Sequence, residues 1–418
     1  MKVALVTQHY PPHFEGGTEM AVRAQAAAFK EQGLEVKIIA GSDRPHTGTD
    51  VEEHQVDGLP VSLLPRHESE FYDLLLERKR IRRAIVELSA DADIVHLHHW
   101  STLDRELVRT LSERLPVVVT LHDLFVTCPR FFREPQHGVE RCPEPRSFET
   151  CVDCVAPDVP TIPRPSIHEG FRQRHDHFTA ELQAAVLVIA PSQAHLDRVG
   201  TYVDLPADRT RVVPHGLAGP IHDAGGGTSL PFAPGQALKI GFFGHRARIK
   251  GAIDLAQASA GLSPADRERV ELHYFGDAVE DAVDEEIRAA AAGVSVTFHG
   301  RYDLVDLPRR IREVGGLHLA CQPSRAYESY GLVVDEAAAM ALPVWVSDRG
   351  APRERIGSAG RVLSAARPEA WSAALNEVLA NPSVLERERA SVPTEVRTAA
   401  DAARDLTKLY TELLERAQ

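Results

Sequence analysis

Short, unbroken apolar runs separated by longer stretches of mixed polarity recur along the whole chain. The first is Val3 to Thr7; a polar loop with Gly16 and Gly17, an Ala-rich segment of helical period from Thr18 to Gln32, a stop at Gly33 and a second run from Val36 to Ala40 follow it. Runs that are apolar at every position mark strands buried on both faces, and helices between them mark the crossovers of a parallel sheet. The same alternation continues with strands expected at 93–97, 117–121, 186–190 and 211–213 and helices near 70–89, 101–114 and 167–184.

From Pro214 to Gln236 no period survives, and the run Gly225-Gly226-Gly227 marks an interdomain linker. A second series then begins, with strands expected at 238–243, 270–275, 294–299, 317–321 and 343–347 and helices opening near Ala252 and Leu332. The fold class that follows is α/β, two doubly wound Rossmann-like domains facing a cleft. Residues 1–216 form the first domain and 217–399 the second. A helical tail after Pro393 has no strand behind it, and in a two-lobed molecule its end, 400–418, can cross back to cover the first domain. A length of 418 residues suits two domains.

Composition narrows the partners. With 43% hydrophobic and 26% charged residues the chain is an ordinary globular one. A net charge of −13 argues against a general binder of nucleic acid or anionic membrane. Arg78, Lys79, Arg80, Arg82 and Arg83 form a local basic run, read as a solvated helix face, which leaves peripheral membrane contact open. No apolar window is long enough to span a bilayer, and Met1-Lys2 leads straight into the first strand, so the expected location is cytoplasmic.

Ligands of open α/β sheets bind beyond the carboxyl ends of the strands, so chemistry is sought there. Glu328 to Glu336, two glutamates with Gly331 between them, follows one strand and runs into a helix. The amides of Gly331 and Leu332 at that helix start suit a diphosphate, Glu336 the hydroxyls of a ribose, and Glu328 those of a sugar. The loop Gly244 to Gly251 carries Arg246, Arg248 and Lys250, cations suited to phosphate. Gly16 and Gly17 allow close approach of backbone to a ligand. His122-Asp123 ends a strand, where His122 can meet sugar or acceptor. Each signal alone has an ordinary alternative: solvated helix-start acids, an exposed basic loop, a plain turn, a capping pair. His96, His98 and His99 are read as structural, the first two on one strand face and the third on the other. Asp91-Ala92-Asp93 precedes a strand and is read as a turn.

Taken in order, the Gly16-Gly17 loop, His122-Asp123, Val213-Pro214-His215-Gly216, the Gly244–Gly251 loop and the Glu328–Glu336 segment resemble glycosyltransferase family 4, retaining enzymes of the GT-B fold. The resemblance spans nearly the whole chain. It implies that Glu328 contacts the donor sugar, Glu336 the ribose, the backbone of Gly331 and Leu332 the diphosphate, and Lys250 a phosphate. His245 stands where the family often has Arg, and Arg246 or Arg248 is implied as the substitute. The donor implied is a UDP- or GDP-linked sugar, the acceptor a small molecule or glycan in surface-glycan or natural-product assembly, with no catalytic metal. Retention is implied when acceptor and leaving group share one face of the sugar. Two other readings stay open: a nucleotide-sugar epimerase of the same fold, and a non-catalytic nucleotide-sugar-binding protein.

Cys128, Cys142, Cys151 and Cys154 stand apart from that order. Their spacing closes with Cys-x2-Cys, a common half of a tetrahedral zinc site, in a segment poor in core residues. A structural zinc is favoured over four unrelated thiols or an iron–sulfur cluster. Some members of the resembled family carry a similar Cys-containing insertion after the His-Asp strand. Cys321 lies within an apolar run and is read as a core residue.

Overall fold

The apolar runs become strands that pair side by side, because each has two faces to bury. In the computed structural model these are β1 (Lys2–Thr7), β2 (Glu35–Ser42), β3 (Glu52–Val56), β4 (Leu59–Pro65), β5 (Ile94–Leu97), β6 (Val117–Thr120), β7 (Leu187–Ala190) and β8 (Thr210–Val212). The second series is β9 (Leu238–Phe243), β10 (Val270–Phe275), β11 (Ser295–Phe298), β12 (Leu319–Gln322), β13 (Val344–Ser347) and β14 (Val362–Leu363). The structure describes residues 1–14, 16–42, 51–66, 78–137, 142, 144, 146–219 and 226–417. Residues 70–77 of the helix expected near 70–89, and Gly225 of the linker, lie outside the described residues.

The chain divides into two units, Met1–Ala218 with Ala399–Gln418, and Gly219–Thr398. The sheet of the first unit has the order β3-β4-β2-β1-β5-β6-β7-β8, parallel except for the β3–β4 pair. Strand order reverses between β1 and β5, whose registers pair Val3 with Ile94 and Leu5 with His96. The polar β3 (Glu52 to Val56) is an antiparallel edge strand, joined to β4 through Asp57 and Gly58, both at positive φ (54° and 68°), the turn geometry that hairpins favour.

The core of the first unit gathers Val3, Leu5, Val22, Phe29, Ile38 and Val61 with Ala403, Leu406 and Tyr410 of the C-terminal helix Ala399–Ala417. Those three residues stand three and four apart and share one helix face, so the chain's last segment closes the core of its first unit.

The second unit has the sheet order β11-β10-β9-β12-β13-β14, all parallel, with the reversal between β9 and β12. Its core holds Ile240, Leu272, Tyr274, Cys321, Trp345 and Trp371. Cys321 is buried there, and the Trp345 indole donates to Glu388 at 2.7 Å. Among the described residues no helix is long and apolar enough to cross a membrane.

Candidate functional site

A reversal of strand order leaves a crevice at the carboxyl ends of the two strands that flank it. In the second unit the loops at that point are 244–251 after β9 and 323–331 after β12. They touch closely at Gly251, where φ is 75° and an added Cβ would stand 2.0 Å from the carbonyl oxygen of Pro323. Backbone bonds from Arg325 and Ala326 to Ile249 O, at 2.8 and 3.2 Å, tie the loops further. Across that seam Lys250 Nζ donates to Glu328 Oε1 at 2.7 Å, and Ser324 Oγ donates to the same oxygen at 2.8 Å. The glutamate is the more shielded partner, its side chain 12% exposed against 32% for the lysine.

Glu328 is also fixed through its backbone, whose carbonyl accepts from Ala351 N at 2.9 Å. Three residues on, Gly331 takes φ 77° and caps the helix Leu332–Ala339, and no side chain caps that helix start. The amides of a first turn have no partner inside their own helix, so they remain suited to an anion. Arg355 braces the approach: it donates to the carbonyls of Tyr330 and Gly331 at 2.9 and 3.0 Å, pairs with Asp335 and lies over the Tyr330 ring. Within the helix Glu336 accepts from Tyr302 Oη at 2.9 Å, and burial pushes its carboxyl up to about 7.

The two arginines expected to share the phosphate with Lys250 are held elsewhere. Arg246 is buried, donates to both oxygens of Asp284 at 2.6 and 2.8 Å and also reaches Gly276 O, which makes it an internal strut. Arg248 bridges Glu280 and Glu286 at the surface. Acidic residues 30 to 40 positions downstream occupy both guanidiniums, a pairing that the loop's own sequence does not display.

In the first unit, histidines follow β5, which flanks the reversal, and its neighbour β6. His98, just after β5, and His122, just after β6, are joined at 2.8 Å between Nδ1 and Nε2. His96 lies against His98 with centroids 4.1 Å apart and the rings tilted by 32°, and His122 lies flat on His215 at 5.0 Å. His96 is also held by Thr120 Oγ1 at 2.7 Å and by Tyr410 of the C-terminal helix at 2.5 Å. Burial, then the neighbouring imidazoles, holds His98 and His122 well below the ordinary histidine value, and burial brings His96 down to about 3. These rings are therefore neutral at pH 7, able to exchange hydrogen bonds with hydroxyl groups. His99 faces the other way, 3.2 Å from Asp123, whose other oxygen accepts from Phe125 N.

Gly16 and Gly17 open the helix Gly17–Glu31. A Cβ on Gly16 would stand 2.7 Å from Glu19 Oε2, whereas one on Gly17 would meet nothing within 4 Å. Sequence reasoning read His98 as structural and did not single out Ser324, Tyr302 or Arg355. Position after a strand was a usable signal for the first three; Arg355 meets the carbonyls of Tyr330 and Gly331 from 25 and 24 residues away.

Cys128, Cys142, Cys151 and Cys154 line one small cavity, with Arg133 among them. All four are free thiols, and no three of their sulfurs come within 4.8 Å of one another among the described residues. Gln136 N donates to Cys154 Sγ at 3.3 Å. The buried guanidinium of Arg133 lies 3.3 Å over the Tyr202 ring, and although burial opposes its charge, Cys128, Cys142, Tyr202 and Cys151 hold its pKa above the ordinary value.

Residues 15–218 match the family model described as Glycosyltransferase Family 4, and residues 237–381 that described as Glycosyl transferases group 1. The chain is 25% identical to a D-inositol 3-phosphate glycosyltransferase of Paenarthrobacter aurescens (strain TC1) over 87% of its own length and 84% of the relative's. In three dimensions it is similar to sucrose-phosphate synthase from Thermosynechococcus elongatus, with a TM-score of 0.70, 18% identity and 99% of each chain covered. It is likewise similar to Anabaena Alr3699/HepE in complex with UDP-glucose, with a TM-score of 0.62, 16% identity, and 99% of this chain and 100% of the other covered. Two α/β units built on mainly parallel sheets, similar over their whole length to these structures, show the GT-B fold. Within that class, the chain belongs to the family 4-like glycosyltransferases.

Proposed function

We propose that this glycosyltransferase takes a sugar from a UDP- or GDP-linked donor, held by the second unit, and passes it with retention to a hydroxyl of a small molecule or glycan held by the first. The observation that carries this reading is the Lys250–Glu328 pair at the reversal point of the second sheet, beside the uncapped helix start at Gly331. A donor diphosphate draws Lys250 onto its oxygens and leaves Glu328 to accept from sugar hydroxyls. Gly331 and Leu332 amides meet the diphosphate, and Glu336 the ribose. Arg246 and Arg248 support the loop that presents Lys250.

The bond from the anomeric carbon to the phosphate oxygen breaks, and a bond from that carbon to the acceptor oxygen forms on the same face. The acceptor proton passes to the departing phosphate oxygen. His122, neutral and steadied by His98, orients hydroxyls in the first unit. The proposed setting is surface-glycan or natural-product assembly in the cytoplasm. The test is transfer or donor hydrolysis with a panel of UDP- and GDP-sugars. Turnover that disappears in Lys250→Ala and Glu328→Ala supports the reading; donor binding with no turnover in the unaltered chain makes the protein a binder instead.

We further propose a structural zinc on Cys128, Cys142, Cys151 and Cys154. Four thiols line one cavity beside a buried Arg133 whose charge can offset part of a metal–thiolate group's, and binding would draw the sulfurs, no three of which now lie within 4.8 Å of one another, to the separation of about 3.8 Å that a tetrahedral zinc requires. Burial raises the Cys151 thiol to about 12, so occupancy by zinc requires proton release. One zinc per chain, lost in Cys151→Ser with Cys154→Ser, is the expected metal content; an unaltered chain free of zinc after growth in zinc-replete medium contradicts it.

A further inference from the structure

A second group of metal-type ligands lies in the first unit, away from the cysteines. Among the described residues, His13, Glu52 and His54 offer ligand atoms that all lie within 4.8 Å of one another. They come from separate parts of the chain: His13 from the loop after β1, and Glu52 and His54 from the edge strand β3, where a spacing of two puts them on one face. The histidine rings meet edge to face with centroids 5.4 Å apart.

Two details go beyond proximity. Nε2 of His54 is shielded from solvent, makes no hydrogen bond, and stands 3.5 Å from Glu52 Oε2. Ligand atoms around a tetrahedral zinc with bonds of about 2.0–2.1 Å stand about 3.4 Å apart, so that pair already has the required separation. Nδ1 of His13 lies 2.6 Å from Ser42 Oγ at the end of β2. A hydrogen bond to one ring nitrogen fixes a histidine's tautomer and orientation, the outer-shell support that metal-ligating histidines usually have.

We propose that His13, Glu52 and His54 form a divalent metal site of the zinc class, which pins the loop after β1 to the edge strand β3. Two imidazoles and a carboxylate make a donor set for a borderline cation and leave a fourth position to water or another oxygen ligand. The loop so pinned leads to Gly16 and Gly17 at the start of the first helix, so the ion would set the conformation of the segment entering that helix.

The test counts zinc per full-length chain after equilibrium dialysis against micromolar free zinc, in the unaltered protein, His54→Ala and Glu52→Gln. The unaltered chain is expected to hold one equivalent more than either variant, with Ser42→Ala binding that equivalent about tenfold more weakly. Cobalt substitution separates this site from the thiols. A cobalt–thiolate charge-transfer band should persist in His54→Ala while the weaker visible bands of a nitrogen and oxygen site disappear. Equal zinc content and equal affinity in the unaltered chain and both ligand variants would overturn the proposal. Far-UV circular dichroism of each variant establishes its fold, and Glu52→Gln with Ser42→Ala carries the test if His54→Ala does not fold.

Discussion

The two sheets reverse strand order in the same manner, yet the side chains at their carboxyl ends differ in kind. In the second unit a lysine and a glutamate meet at 2.7 Å, both partly reached by solvent. In the first, His98 and His122 meet at 2.8 Å in surroundings that keep them neutral. A charged pair tolerates that position because water still reaches it; a buried cation there would have to carry its full desolvation cost. Near the reversal, the carboxyl ends of one sheet thus carry a charged pair and those of the other uncharged hydrogen-bonding rings, a difference that fits the proposed division between phosphate and hydroxyl binding.

The sharpest way to break this contrast is to remove the charge. Lys250→Ala should lower the transfer rate by about 100- to 1,000-fold, the usual cost of deleting one group that stabilises developing charge. Chromatographic measurement of nucleotide release at saturating donor checks this, and unchanged turnover would remove the second unit's loop from the chemistry. Gly331→Ala comes next. The residue's φ of 77° and a Cβ placed 2.7 Å from Pro352 Cγ make any side chain strained, at about 1–3 kcal/mol. The expected result is a lower melting temperature and, because relieving that strain shifts the amides proposed to meet the diphosphate, a donor KM raised about tenfold, a binding loss of about 1.4 kcal/mol. A melting temperature equal to that of the unaltered chain contradicts the strain.

How much of this was legible beforehand depends on which residues are asked about. Strands such as 238–243 and 270–275 were readable because they are short, mostly apolar runs with one wholly apolar face (Leu238, Ile240 and Phe242; Val270, Leu272 and Tyr274), and the structure places strands at those positions. The edge strand Glu52–Val56 was missed because one of its faces meets water and its letters are polar; the pair Asp57-Gly58, a hairpin-turn signal, was the mark that went unread. Helices Pro368–Ala380 and Ser383–Ala390 were also passed over; in the second, four charged residues among eight dilute the apolar period. At the candidate site, position after a strand singled out Lys250 and Glu328, but their ion pair spans 78 residues of sequence. Arg246 shows the converse: its letter and place suggest phosphate, while Asp284 turns it into a strut, and nothing local announces that partner.

The neutral side of the comparison is sharpened by His122→Ala. One neutral hydrogen bond contributes about 0.5–1.5 kcal/mol, so acceptor kcat/KM should fall about tenfold while donor KM stays fixed. Steady-state kinetics with each substrate varied in turn separates the two. An effect on donor KM instead would place His122 on the phosphate side.

Titration tests the contrast most directly. Glu336 is raised to about 7 by burial, so between the ordinary carboxyl value and pH 7 the folded chain keeps a proton that the unfolded chain has lost. Its contribution is fully present in acid below the unfolded value and disappears as pH rises through about 7. His96, brought down to about 3 by burial, has the opposite sign: the unfolded chain binds the extra proton, so stability is lost as pH falls from the ordinary histidine value toward 3. Each unit also holds groups of the other kind, Glu181 at about 7 in the first and His299 at about 4 in the second, so whole-chain melting curves blend the two slopes. Differences between variant and unaltered protein isolate them. The stability of Glu336→Gln relative to the unaltered chain should rise between pH 5 and 8, and that of His96→Gln should rise as pH falls below 6. Parallel melting profiles across that range for the Glu336 variant would mean its carboxyl is not held protonated, and the buried acid proposed to meet the ribose would need another account.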